Sequence, residues 1–248
     1  METKNATGIV KHIPNFITSL NVFSGSCAIV FAFSDKLHIA AICILIAAVF
    51  DFLDGLAARL LHAYSAMGKE LDSLADVVSF GVAPAAIVFN LFMIHQDTYQ
   101  IMFLQENSFF YFSAFIIAVF SALRLAKFNI DTRQTTSFIG MPTPANAIFW
   151  ASFPLILYYN PDSFISNILV HPYVLFGLII ISSFLLISEI PMFSLKMKSF
   201  KFSENYTQYI FLILSIILFV FLNIIAIPFV ILLYIITSIF FNLIIKNT

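Results

Sequence analysis

Runs of some twenty predominantly apolar residues follow one another along almost the whole chain, and this repetition leaves few folds open. A helix needs about 20 such residues to cross the roughly 30 Å hydrocarbon layer of a bilayer. Eight stretches qualify, at 14–33, 37–61, 72–94, 108–127, 141–159, 169–190, 207–222 and 224–245, with Asn223 and Pro228 dividing the last two. Of the 248 residues, 61% are hydrophobic and 10% charged, where a soluble domain carries about 25% charge. That much apolar surface needs lipid as its solvent. The expected fold is therefore all-α, a polytopic transmembrane bundle of about eight spans, with a six-helix core and two C-terminal helices. A single domain is expected over 1–248, its core at about 10–200 and the C-terminal pair at about 205–246. The first span lacks a clear cleavage site of small residues and is read as retained. A net charge of -1 offers no bulk attraction for nucleic acid. Cys27 and Cys43 lie in apolar runs and are read as small packing residues.

Eight spans place both termini on one side. Lys4, Lys11, Arg59, Lys69, Arg124, Lys127, Arg133, Lys196, Lys198, Lys201 and Lys246 fall on that side, and Lys36 alone on the other. Lys and Arg concentrate in cytoplasmic loops, so the termini are expected to face the cytoplasm, in the cell membrane. The loops around 95–107 and 160–168 carry neither Lys nor Arg, which agrees.

Against this background four carboxylates stand out. Asp51 and Asp54 lie late in the second span, and Asp72 and Asp76 open the third. A charge at a helix centre costs about 2.5–3.5 kcal/mol on insertion scales, less near an interface. Spacings of three and four place each pair on one helix face, and a connecting loop of roughly ten residues would make the two helix ends neighbours. Four facing carboxylates repel unless cations sit between them or some are protonated. Hard divalent ions with oxygen ligands fit, Mg²⁺ or Mn²⁺ shared with phosphate, and two such ions would clamp a diphosphate. Interfacial acids bonded to helix ends are the alternative, and it explains one Asp better than four. Gly55 leaves room for a ligand beside the backbone, and Gly68 opens the approach to the third span. Arg59 is read equally as a phosphate ligand or as a snorkelling anchor.

From Asp51 to Asp76 the chain reads D-F-L-D-G-L-A-A-R, eight residues, then G-K-E-L-D-S-L-A-D. This resembles the signature of the CDP-alcohol phosphotransferase family at every motif position. The resemblance implies metal-ligand roles for Asp51, Asp54 and Asp72, joined by Asp76, with Asp76 also the general base. It implies that Gly55, Arg59 and Gly68 accommodate the CDP group, and that Asn15, Thr18 and Asn21 of the first span add polar contacts to it. Helix capping and interhelical hydrogen bonds are the other reading of those three. A homodimer and direct displacement, without a covalent intermediate, are also implied.

Several segments resemble the phosphatidylserine synthase branch: G-K-E-L-D-S-L-A-D-V-V-S-F-G-V-A-P-A, S-A-L-R-L-A-K-F-N at 121–129, F-I-G-M-P-T-P-A-N-A at 138–147 and I-S-E-I-P-M-F-S-L-K at 187–196. Lys127 stands where that branch has Arg, and Lys lacks the bidentate guanidinium fork. The branch implies CDP-diacylglycerol and L-serine as substrates, with phosphatidylserine and CMP as products. Serine brings a carboxylate and an ammonium. Arg124 and Lys127, three apart on one face, suit the carboxylate or the lipid phosphate, with Asn129 assisting; a basic membrane anchor is the plainer reading. Glu189 suits the ammonium, or helix packing. Glycerol 3-phosphate and inositol phosphate, the rival acceptors, carry dianions that need more cations than Arg124, Lys127 and Arg133. A cation transporter would also place aspartates in the membrane, but transporters often carry repeated halves and the aspartate motif occurs once.

Overall fold

The structure, a computed structural model, describes residues 8–99, 108–131, 138–193 and 205–246. Lys4, Arg133, Lys196, Lys198 and Lys201 of the charge count lie outside them, as does most of the loop expected at 95–107. A 3₁₀ turn, Gly8–His12, leads into α1 (Ile13–Ala32), which carries Pro14 in its first turn. There its missing N–H has no helical partner to lose. α2 (Leu37–Leu60) follows. α3 (Ala66–Asp76), a six-residue π segment (Val77–Val82) and α4 (Ala83–Tyr99) form one continuous run. A 3₁₀ stretch, Ser108–Phe115, opens α5 (Ile116–Ile130). Then come α6 (Thr143–Tyr159), the short α7 (Phe164–Leu169), α8 (Pro172–Ile187), α9 (Tyr206–Leu222) and α10 (Ala226–Lys246).

Helices occupy all eight expected stretches, and the all-α polytopic bundle is what the chain builds. Among the described residues, five runs are long and apolar enough to cross a bilayer: Val10–Ala32, Leu37–Leu60, Ala66–His95, Phe109–Ile130 and Tyr206–Phe241. The last is a hairpin. Asn223 has φ 49°, and the rings of Tyr206 and Phe241, at opposite ends of the run, lie 5.4 Å apart. With ψ -128° as well, Asn223 leaves the helical conformation altogether, so the division expected at Asn223 is where the chain turns back. This is a multi-pass membrane protein. Its lipid-facing surface is plain on α1, where Phe16, Phe23 and Val30, seven residues apart, are exposed.

The third span starts earlier than expected, at Ala66, and the loop before it is only 61–65. Ser65 caps the helix by accepting the Gly68 N–H at 2.9 Å, and the polar first turns around Lys69 and Glu70 hide the helix from a hydropathy reading. A two-residue antiparallel ladder pairs β1 (Phe138–Ile139) with β2 (Pro191–Met192), a feature the apolar runs did not predict.

Small residues let the helices approach closely, as membrane packing favours. Ala28 and Ala32 of α1 and Ala40, Ala41 and Ala47 of α2 are fully buried, and the Ser24 hydroxyl donates to the Cys43 carbonyl at 2.8 Å. α1 crosses the π segment tightly: a Cβ on Gly25 would lie 2.7 Å from the Ser79 Cα. The Ser79 hydroxyl donates to the Asn21 carbonyl there, at 3.0 Å. This crossing fixes α1 beside Asp76, the residue that precedes the π segment.

Candidate functional site

The late turns of α2 and the whole of α3 converge at one end of the bundle. Asp51, Asp72 and Asp76 each present an oxygen, and these three atoms all lie within 4.8 Å of one another. Asp54, one turn further along α2, is buried. Its Oδ2 and the Oδ1 of Asp72 are buried and meet no hydrogen-bond donor among the described residues. Buried acceptors without donors are costly, and clustered carboxylates add mutual repulsion. Hard divalent cations with oxygen ligands relieve both costs, so the residues present fit such a group.

Beside the cluster, α1, α2 and α3 enclose a cavity of about 220 Å³ lined by Asn15, Thr18, Asp54, Gly55, Arg59, Gly68 and Asp72, with Tyr64, Ser65 and Lys69 among the others. Five of the residues expected to meet the CDP group thus share one wall with two of the aspartates. Gly55 has room beside it: among the described residues a Cβ there would meet only the Arg59 guanidinium, at 3.6 Å. Gly68 is different, because it lies inside the first turn of α3 and a Cβ would come within 2.9 Å of Asn15 Oδ1. Its lack of a side chain lets α3 close on α1. Thr18 donates to the Pro14 carbonyl at 3.0 Å.

Asn21 is placed elsewhere. It is fully buried outside the cavity lining, and its Nδ2 approaches Asp76 Oδ1 at 3.5 Å. One turn of helix separates it from Thr18, and there it meets Asp76 instead of the cavity. Tyr64, Ser65 and Lys69 escaped the sequence reading, although they stand within the spacer and second half of the aspartate motif. Gly25 left no such signal, and Ser79, although it stands in the segment that continues from Asp76, gave no sign of the contact between them, which joins residues far apart in the chain.

Of the residues expected to meet an acceptor, Arg124 is buried and within electrostatic range of Asp76. Its Nε donates to the Met141 carbonyl at 2.7 Å, and its guanidinium lies 5.4 Å from the Phe128 ring centroid. Lys127 is instead ion-paired with Glu189, so each neutralises the other near the surface. Asn129 ties α5 to α3: its Nδ2 donates to Ser73 Oγ at 2.8 Å and its carbonyl accepts from Lys69 Nζ at 3.2 Å.

A family model described as CDP-alcohol phosphatidyltransferase matches residues 11–185. The chain is 38% identical over 135 residues to a Bacillus subtilis protein named CDP-diacylglycerol–serine O-phosphatidyltransferase, a match covering 54% of this chain and 71% of that one. A Saccharomyces cerevisiae protein of the same name is 42% identical over 149 residues, 54% of this chain and 50% of its own. An archaetidylserine synthase of Methanothermobacter thermautotrophicus is 33% identical over 165 residues, 64% of each chain. The chain thus spans between half and about seven-tenths of these relatives. The matched region contains the whole aspartate cluster and its cavity, and the chain belongs to the CDP-alcohol phosphatidyltransferase family.

Proposed function

We propose that this protein transfers the phosphatidyl group of CDP-diacylglycerol to L-serine, giving phosphatidylserine and CMP. The observation that carries this reading is the juxtaposition of three parts: the aspartate cluster, a cavity on one side of it, and the buried Arg124 within range of Asp76. Names borne by relatives in three organisms agree with it.

Members of this family are generally dependent on divalent metals. Here Asp51, Asp54, Asp72 and Asp76 would hold two ions, Mg²⁺ or Mn²⁺. When bound, such ions supply charge neutralisation for the diphosphate and for the departing CMP. Asn15, Thr18, Gly55, Arg59 and Gly68 form the walls that take the CDP group. Asp76 removes the proton of the serine hydroxyl. The freed oxygen attacks the phosphorus that carries diacylglycerol, and the bond from that phosphorus to the CMP oxygen breaks. Asn21 holds Asp76 in place. Arg124 spends its Nε on Met141, which leaves its terminal N–H groups for the serine carboxylate.

Serine is preferred to glycerol 3-phosphate or inositol phosphate because Lys127 is engaged by Glu189. That leaves little spare positive charge for a dianion. The single chain acts as one domain in the cell membrane, as a homodimer, with both termini and the site on the cytoplasmic side. Light scattering of the detergent-solubilised protein would check the dimer.

The decisive assay offers purified protein CDP-diacylglycerol with equimolar serine, glycerol 3-phosphate and inositol phosphate, with and without Mg²⁺ or Mn²⁺. Phosphatidylserine and CMP are expected, only with metal. Phosphatidylglycerol phosphate or phosphatidylinositol phosphate as the product would move the acceptor assignment, and ion flux without CMP release would restore the transporter reading. Arg59→Ala is expected to raise the KM for CDP-diacylglycerol about tenfold, the loss of one charge-assisted hydrogen bond. An unchanged KM would leave Arg59 as an anchor.

A further inference from the structure

α9 and α10 lie beyond residue 185, where the family match ends, yet they reach the acceptor side of the site. The link is the strap formed by residues 138–141 and 185–193. Its ladder pairs Phe138 with Met192 and Ile139 with Pro191. The Gly140 N–H donates to the Ile190 carbonyl and the Met141 N–H to the Leu185 carbonyl, both at 2.9 Å. Gly140 has φ 76°, and a Cβ there would lie 2.6 Å from the Leu186 carbonyl oxygen, so the strap has little freedom to rearrange. At one end of this unit, the Met141 carbonyl accepts from Arg124 Nε.

At its other end the strap is held by α10. Tyr234 Oη donates to the Phe193 carbonyl at 3.0 Å, and the Phe193 N–H donates to Ser238 Oγ at 3.4 Å. Tyr234 and Ser238 are four apart, on one face of the helix, and both are buried. The Phe193 ring sits 5.0 Å from that of Tyr234 and 5.6 Å from that of Phe211 on α9. Met141 and Met192 are buried in the same cluster. Tyr234 also lies within electrostatic range of Arg124 itself.

We infer that Tyr234 and Ser238 are positioning residues for Arg124: through Phe193 and the strap, the C-terminal helix pair sets the affinity for the acceptor. This rests on the assignment of Arg124 to the serine carboxylate. Simple packing is the competing role. A packing defect would lower stability and affect both substrates together, whereas a displaced Arg124 affects the acceptor alone.

Tyr234→Phe keeps the ring and removes the donor to Phe193; Ser238→Ala removes the acceptor of the Phe193 N–H. Each full-length variant is assayed in nanodiscs for KM and kcat with both substrates, beside its melting temperature. Loss of one hydrogen bond predicts a KM for serine raised about three- to tenfold. The kcat, the KM for CDP-diacylglycerol and the melting temperature are expected to stay close to wild type. An unchanged KM for serine in both variants overturns the inference. So does a parallel rise in both KM values with a lowered melting temperature. If one variant does not fold, the other decides. Should the wild type make no phosphatidylserine, the proposed function falls by itself, and the same split is read with whichever acceptor the wild type uses.

Discussion

Asp76→Asn is expected to lower turnover by roughly 10²–10⁴-fold, the usual contribution of a general base, while CDP-diacylglycerol still binds. Asn matches Asp in size but accepts no proton from the serine hydroxyl at neutral pH. Asp76 is buried at the end of α3, where its oxygen meets those of Asp51 and Asp72 within 4.8 Å. Asn21 approaches it from α1, so the replacement amide stays in a packed, polar setting. Single-turnover kinetics and a binding assay with labelled CDP-diacylglycerol separate the two roles. Near-normal turnover would remove Asp76 as the base. Loss of binding as severe as the loss of turnover would make it chiefly a metal ligand. Asp51→Asn provides the contrast, and there the requirement for added Mg²⁺ or Mn²⁺ should rise first.

Gly25→Ala is expected to cost about 1–3 kcal/mol of stability, the range for overpacking, and to reduce activity by roughly 10²-fold, since a displacement of about 1 Å at a reacting group has that effect. The added Cβ would stand 2.7 Å from the Ser79 Cα, a backbone atom that no rotamer change can move. The helices must separate, and the Ser79 hydroxyl loosens from the Asn21 carbonyl. Asn21 then retreats from Asp76. Gly177→Ala is the matched control on α8: among the described residues a Cβ there meets nothing within 4 Å, and both activity and melting temperature should hold. Full activity in Gly25→Ala would show that the crossing relaxes without disturbing the cluster.

The apolar runs and the aspartate spacings carry much of this description on their own. Hydropathy locates helices in lipid because the bilayer forces every backbone polar group into an internal bond, and all eight stretches are helical. The turn at Asn223 was legible because a polar residue interrupts the apolar run there. Spacings of three and four place carboxylates on one face of any helix, so the convergence of Asp51, Asp72 and Asp76 was within reach before the fold was known.

Other features depend on partners that no local pattern names. The capped start of α3 at Ala66 is polar, and so it hides from hydropathy. Asn21 lies beside Asp76 rather than in the cavity because α1 crosses the π segment through Gly25. The pairing of Lys127 with Glu189 joins residues 62 apart in the chain, and Tyr234 reaches the Phe193 carbonyl across 41. Periodicity tells which face of a helix avoids lipid; it does not tell which helix that face meets. The aspartates, their spacing and the membrane around them were thus decided by the sequence alone. Which side of the cluster the cavity lies on, and how the C-terminal pair reaches Arg124, were decided only when the helices packed.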